Sequence, residues 1–182
     1  GAFISSSARR RPPLYAGLPT LEFHREMPVS LTARHLAALG VESIFIGDER
    51  SSEEELSQLT AIDPDVIGLH AQLFPAGKPL QKFLQQPFTA RPDVARDAIR
   101  TLESRERSRR LSPIVPANTV ARLYGAVTLD NREYPRYAGE LQIIKRPQPA
   151  DPRTNVIAQV VPEEHFLLPL ITPGKNFTFY FE

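Results

Sequence analysis

The feature that most limits what this chain can become is a rhythm that stops. Through the first hundred residues, short apolar runs alternate with capped amphipathic stretches; after about Ser112 the apolar runs continue almost alone. Strand and helix signals in alternation predict βα units feeding a parallel sheet, and a run of strands predicts a separate β structure. Ala2-Phe3-Ile4 reads as a first strand. Ser30 or Thr32 can cap a helix carrying Leu31, Ala33, Leu36 and Leu39, which Gly40 ends. A strand over 41–46 stops at Gly47-Asp48. Ser51 or Ser52 caps the next helix, with Glu53, Glu54 and Glu55 at the positive end of its dipole. A third strand over 66–71, a brief helix over 79–84, a fourth strand at Phe88-Thr89 and a helix from Asp93 to Leu102 complete four βα units. An eight-fold barrel needs eight.

Beyond the Arg-rich stretch around 105–112, strands are expected over 120–129, 139–145, 155–161 and 177–181. Asp130-Asn131-Arg132-Glu133 makes a turn between the first two. The expected organisation is therefore a partial barrel over 1–110 followed by a β domain over 111–182.

Composition removes whole classes of function. The 182 residues include no cysteine, which excludes a disulfide scaffold, a thiolate zinc site and a cysteine nucleophile, and fits a cytoplasmic setting. Lys+Arg 22 against Asp+Glu 21 leaves a net charge of +1, no footprint for nucleic acid or an anionic membrane. The uncharged apolar stretch over 166–173 falls far short of the roughly 20 residues that cross a bilayer. The first residues place apolar before basic, the reverse of a secretion signal. The phosphate-loop, dinucleotide and nucleophile-elbow patterns are absent, as is the paired-histidine zinc motif, so no cofactor and no metal is expected.

The candidates that remain are polar residues near strand C-terminal ends, where βα folds bind ligands. Asp48 follows the second strand beside Gly47, as a site carboxylate or a helix-entry cap. His70 lies within the third strand, as a ligand contact or a core histidine. Arg91 follows the fourth, where its fork can hold a phosphate or carboxylate, or pair with Asp93. Glu22, His24 and Arg25 cluster in the long first loop, and long ordered loops are usually functional. In the β segment, Arg136 between Tyr134 and Tyr137 can bind a sugar or an anion, or serve packing.

Several of these residues stand in longer strings. Gly17-Leu18-Pro19-Thr20-Leu21-Glu22-Phe23-His24-Arg25, Ile46-Gly47-Asp48, Arg91-Pro92-Asp93 and Asp130-Asn131 with Tyr134, Arg136, Tyr137 and Gly139-Glu140-Leu141-Gln142-Ile143 follow in order along the chain. They resemble the MupG-type 6-phospho-N-acetylmuramidase family of cytoplasmic bacterial proteins, formerly called "outer surface protein". One residue departs, Ala90, where the family usually carries Asn. The resemblance implies a TIM-like barrel followed by a cyclophilin-like β domain, with this chain beginning at about the fifth barrel strand and so covering the C-terminal half. It implies a glycoside hydrolase acting on a 6-phosphorylated N-acetylmuramyl–N-acetylglucosamine disaccharide in cell-wall recycling. Glycoside hydrolysis takes two carboxyl groups. Asp48 and Glu22 are the candidates for catalysis, with His24, Arg25, His70, Arg91 and Arg136 for substrate binding. A half-barrel leaves open edges, so the fragment is expected to be inactive alone, and to need the missing barrel half or a homo-oligomer. A non-catalytic sugar-phosphate or peptide-binding module is the alternative.

Overall fold

The computed structural model describes residues 1–181; Glu182, the last residue of the expected β segment, lies outside the described residues. The chain divides into two compact units, Gly1–Asp65 and Val66–Glu182.

The first unit runs β1 (Ala2–Ile4), α1 (Val29–Ala38), β2 (Ile44–Ile46) and α2 (Glu53–Thr60), with a short 3-10 turn at Glu22–His24. β1 and β2 pair in parallel, Ala2 opposite Ile44 and Ile4 opposite Ile46. Parallel neighbours need a long crossover, and α1 supplies it. Val29, Ala33 and Leu36 lie on one helical face and pack on Ala2 and Ile4. Gly40, at φ +83°, ends the helix in the left-handed region that favours glycine. α2 opens on a capping box: Ser52 Oγ accepts the Glu55 amide at 3.1 Å, and the Glu55 carboxylate accepts the Ser52 amide at 3.0 Å. On the other face of the strand pair, the rings of Phe3 and Phe45 lie 5.8 Å apart, tilted by 44°, and stay about half exposed.

The second unit is a mixed sheet with short helical insertions. Its elements are β3 (Val66–Leu73), α3 (Gln81–Leu84), β4 (Phe88–Thr89), β5 (Ala98–Arg100), α4 (Ser104–Ser108), β6 (Ala126–Asp130), β7 (Leu141–Ile144), β8 (Thr154–Val160), a 3-10 segment Pro162–Leu170 and β9 (Asn176–Phe181). Among the described residues, seven strands lie in the order β4-β9-β3-β8-β6-β7-β5. Every pairing is antiparallel except β3 with β9, which run parallel from Val66–Asn176 to Ala71–Phe181. Leu69, Phe88, Leu129, Leu141, Ile143, Ile157, Phe177 and Phe179 are fully buried.

Three expectations change. Among the described residues, two βα units form, not four, because the third expected barrel strand joins the mixed sheet between β9 and β8. The chain accordingly divides at residue 65, not near 110. The helix expected from Asp93 to Leu102 contains strand β5 instead: Ala98 and Ile99 are buried and pair with Ile144 and Ile143. The helical propensity of an Ala- and Arg-rich run is worth only tenths of a kcal/mol per residue, and a ladder to a buried neighbour overrides it. The fold class is thus mixed α/β, with a parallel βα part and a larger sheet.

One close approach decides how α4 docks. At Gly139, φ +84°, a Cβ would lie 1.8 Å from Ser108 Oγ and 2.7 Å from Ser108 Cβ. Gly139→Ala is expected to lose about 3 kcal/mol from overpacking and left-handed strain, read as a lower urea midpoint at unchanged slope.

Candidate functional site

In the first unit the polar residues converge where β1 and β2 end. Ser5, Ser6 and Ser7 follow β1, and Gly47-Asp48 follows β2. Gly47 lets the first loop come close: a Cβ there would meet the Leu18 carbonyl at 2.7 Å. The Asp48 carboxylate accepts the amides of Ser6 and Arg11, each at 2.9 Å, and so ties down the loop after β1. Glu55 is buried and accepts from Ser6 Oγ at 2.7 Å, Ser7 Oγ at 2.9 Å and the Ser7 amide at 2.8 Å. A cleft of about 340 Å³ opens here, lined by Ser6, Ser7, Arg10, Arg25, Glu26 and Glu55 among others.

The two cations of the cleft are each held by a glutamate. Arg25 donates Nε and Nη2 to Glu22, both at 2.5 Å, and Nη1 to the carbonyls of Ala16 and Gly17. Arg10 makes the same two-point contact with Glu26, at 3.1 and 2.7 Å. The hydrogen bond from Arg25 holds Glu22 below the ordinary glutamate value, and that from Arg10 does the same for Glu26. For Glu55, burial pushes upward, but the amides of Ser7 and Ser52 and the hydroxyls of Ser6 and Ser7 outweigh it and leave the group lowered. These three carboxylates are therefore ionised at neutral pH. They can act as base or nucleophile, and not as a proton donor.

Of the residues expected in this region, Arg25 lines the cleft and Glu22 is its exposed partner. His24 points away from solvent. It is fully buried, with Nε2 2.7 Å from Nδ1 of His35. Burial, and then the neighbouring His35, lower its pKa, so it stays neutral. Arg10, Glu26, Glu55 and the three serines were not singled out from the sequence. The readable signal was Ser-Ser-Ser directly after an apolar run, together with the capping-box glutamate.

In the second unit, His70, Arg91 and Arg136 occupy three different settings. His70 Nδ1 lies 2.7 Å from Oε1 of buried Glu164, whose other oxygen accepts the His70 amide at 2.8 Å. Arg91 makes a two-point contact with Asp93, at 2.7 and 3.0 Å, beside a pocket of only about 30 Å³. Arg100 bridges Asp93 and the buried Glu140. Arg136 is exposed, its guanidinium 5.7 Å above Tyr137. Behind it lies a buried polar layer. Asp130 accepts from Thr154 Oγ1 at 2.7 Å, and Asn131 donates to Asn155 at 2.8 Å. Burial pushes the Asp130 carboxyl up to about 6, helped by the charge of Glu140 and resisted by the Thr154 hydrogen bond. Among the described residues, no cluster of acidic and imidazole groups could hold a metal ion, and no helix is long and apolar enough to cross a membrane.

In the first unit two arginine–glutamate pairs flank the cleft after the parallel strands, and the second unit carries its own arginine–carboxylate network; the class is a mixed α/β protein. Comparison with known proteins makes this specific. The chain belongs to the 6-phospho-N-acetylmuramidase family: the N-terminal family model matches residues 1–61 and the C-terminal one residues 69–180. The likeness is thus not confined to the C-terminal part of the family, as the sequence strings suggested. A solved structure of an uncharacterised B. cereus protein is 32% identical, with a TM-score of 0.89 over 98% of this chain and 53% of its own. A conserved Enterococcus faecalis protein of unknown function is also 32% identical, with a TM-score of 0.71 over 100% of this chain and 49% of its own. The chain therefore spans about half the length of these relatives. No curated protein matches it.

Two outcomes follow from the charge environment. Because the native Asp130 pKa lies above the unfolded value of about 3.9, the folded state holds a proton between pH 4 and 6 that the unfolded chain releases. Stability falls as pH rises through that window, by at most about 3 kcal/mol. Asp130→Asn should melt higher than the parent at pH 7.5, with the gap closing toward pH 4. Glu55→Ala removes the carboxylate half of the capping box and the acceptor of the Ser6 and Ser7 hydroxyls; it should cost about 2–3 kcal/mol in a urea titration.

Proposed function

We propose that this chain is part of a glycoside hydrolase that cleaves 6-phospho-N-acetylmuramyl–N-acetylglucosamine in the cytoplasmic recycling of cell-wall fragments. The observation that carries this reading is the pair of family models running along nearly the whole chain. In it, β1-α1-β2-α2 are βα units of a TIM-like barrel, and the seven-stranded unit is the cyclophilin-like domain. The half-exposed Phe3–Phe45 pair and the open edges of β1 and β2 suit strands that meet further barrel strands, supplied by the rest of the barrel or by a second copy.

The cleft supports binding of the substrate's anions. Arg10 and Arg25 present guanidinium forks, and Glu26 and Glu22 occupy them as internal carboxylates. Solvent-screened ion pairs of this kind contribute little to stability, so a sugar phosphate or lactyl carboxylate can take their place at little cost. Once displaced, Glu22 is a free ionised carboxylate near the bound sugar, fit for the base or nucleophile role. Asp48 keeps its two amides and serves the loop. Hydrolysis also takes a carboxylic acid that donates a proton to the leaving oxygen. In this reading the proton donor is none of Glu22, Glu26 and Glu55, whose pKa values are all lowered, and comes from outside this cleft, so the chain by itself binds and does not turn over.

Calorimetric titration with the phosphorylated disaccharide, followed by mass spectrometry of the mixture, tests this. Saturable binding without product is expected, weakened about tenfold by Arg25→Gln. Release of N-acetylglucosamine by this chain alone refutes its inactivity; a titration without heat refutes the binding cleft. The same set of ionised carboxylates also favours a second reading, a sugar-phosphate or peptide-binding module. It gains if a full-length relative binds the disaccharide and leaves it intact.

A further inference from the structure

We propose that the second unit carries its own binding site for a phosphate monoester, in the cleft between α4 and the turn that precedes β7. The inference does not rest on the hydrolase reading. The cleft holds about 520 Å³, within the range of small-molecule sites. Its walls include Leu102, Arg105, Glu106, Arg109, Arg136 and Ala138.

The construction is specific. Arg105 and Arg109 are four residues apart and so share one face of the α4 turn. Arg136 comes from the opposing turn. The two sides are held close because Gly139 has no side chain to keep Ser108 away. Arg105 is fixed from behind. Its Nη1 donates to the Arg136 carbonyl at 3.3 Å, and its Nε lies 3.7 Å from Oε2 of Glu140. Glu140 is buried, and its Oε2 has no hydrogen-bond partner among the described residues. Arg105 is thereby held by a carboxylate that does not itself line the cleft.

The charge balance names the ligand. Other arginines of this unit, at 91, 96, 100 and 153, are matched by aspartates or by Glu140, and those at 107, 110 and 122, which have no ion pair among the described residues, do not line this cleft. Among the described residues, Arg109 and Arg136 have no ion pair. Three guanidiniums against Glu106 leave an excess of two positive charges facing the cleft. A phosphate monoester carries about −1.5 to −2 at pH 7 and accepts hydrogen bonds on three oxygens, which suits three forks. Leu102 and Ala138 add a small apolar shoulder for the carbon skeleton, so the fitting ligand is a phosphorylated monosaccharide-sized molecule.

Glucose 6-phosphate is the probe. Amide resonances of the whole chain are followed by NMR during titration at low salt, with glucose and sulfate as parallel titrants. Saturable shifts at Glu106, Ala138 and Gly139 are expected with glucose 6-phosphate, much weaker ones with sulfate and none with glucose. Arg109→Gln and Arg136→Gln should each weaken binding about tenfold. Both side chains are exposed and make no ion pair, and Arg136 only lies over the Tyr137 ring, so melting temperatures should change little. Arg25→Gln, in the other unit, and Arg132→Gln, an exposed charge paired with Glu133, should leave these shifts intact. Loss of the response in Arg132→Gln would reduce it to net charge, and loss in Arg25→Gln would assign it to the first unit; either overturns the proposal. So does an equal response to sulfate, or no shift at these amides.

Discussion

The parallel ladder between β3 and β9 is the constraint on which the larger unit depends. Residues 66–71 find their partners about 110 positions later, at 176–181. β9 brings Phe177 and Phe179 into the core and lets Phe88 of β4 pack on Phe177. β3 then offers its other edge to β8, which carries β6, β7 and β5 in turn. The same ladder sets His70 against Tyr180 and leaves its amide for Glu164. Without it there is no reason for the chain to divide at residue 65, because β3 would remain the next strand after a βα pair.

Charge is distributed by a simple rule in both units. Exposed carboxylates at cleft mouths sit in arginine forks and stay ionised, as Glu22 and Glu26 do. Buried carboxylates are held by several donors, as Glu55 is, or face an arginine, as Glu140 does. Asp130 is the exception. It lies in the interior with one hydroxyl donor, and its proton affinity rises accordingly. Its place between Asn131 and the Thr154–Asn155 pair makes it part of a buried polar layer that fixes the turn after β6.

Local chemistry was legible in the sequence, and partners were not. Gly40 as a helix terminator, a serine cap at 51 or 52 and a turn after the strand that ends at Asp130 all depend on neighbours within four residues, and all form, the cap at Ser52 and the turn from Asn131. The run over 66–71 reads correctly as a strand. Its partner is set by tertiary contacts that no local pattern encodes: it pairs with β9 and β8, not with the strands of the βα part. β5 shows the opposite failure, a helix-favouring run held as strand by Ile143 and Ile144. At the site, charged residues in the first loop drew attention, and Arg25 lies in the cleft. His24 shares their string and yet is a core residue, because its neighbours across the fold, not along the chain, decide its burial. Arg10 and Glu26 escaped notice for the same reason: their pairing spans sixteen residues of loop.

The distance between β3 and β9 has a consequence in time. During synthesis at roughly 5–20 residues per second, β3 leaves the ribosome about 5–20 seconds before its parallel partner exists. Until β8 and β9 emerge, Ile67, Leu69 and Ala71 are without strand partners, while β1, α1, β2 and α2 have already left the ribosome. The chain is thus born in two tempos, with an early βα unit followed by a sheet that closes only when its last strand arrives.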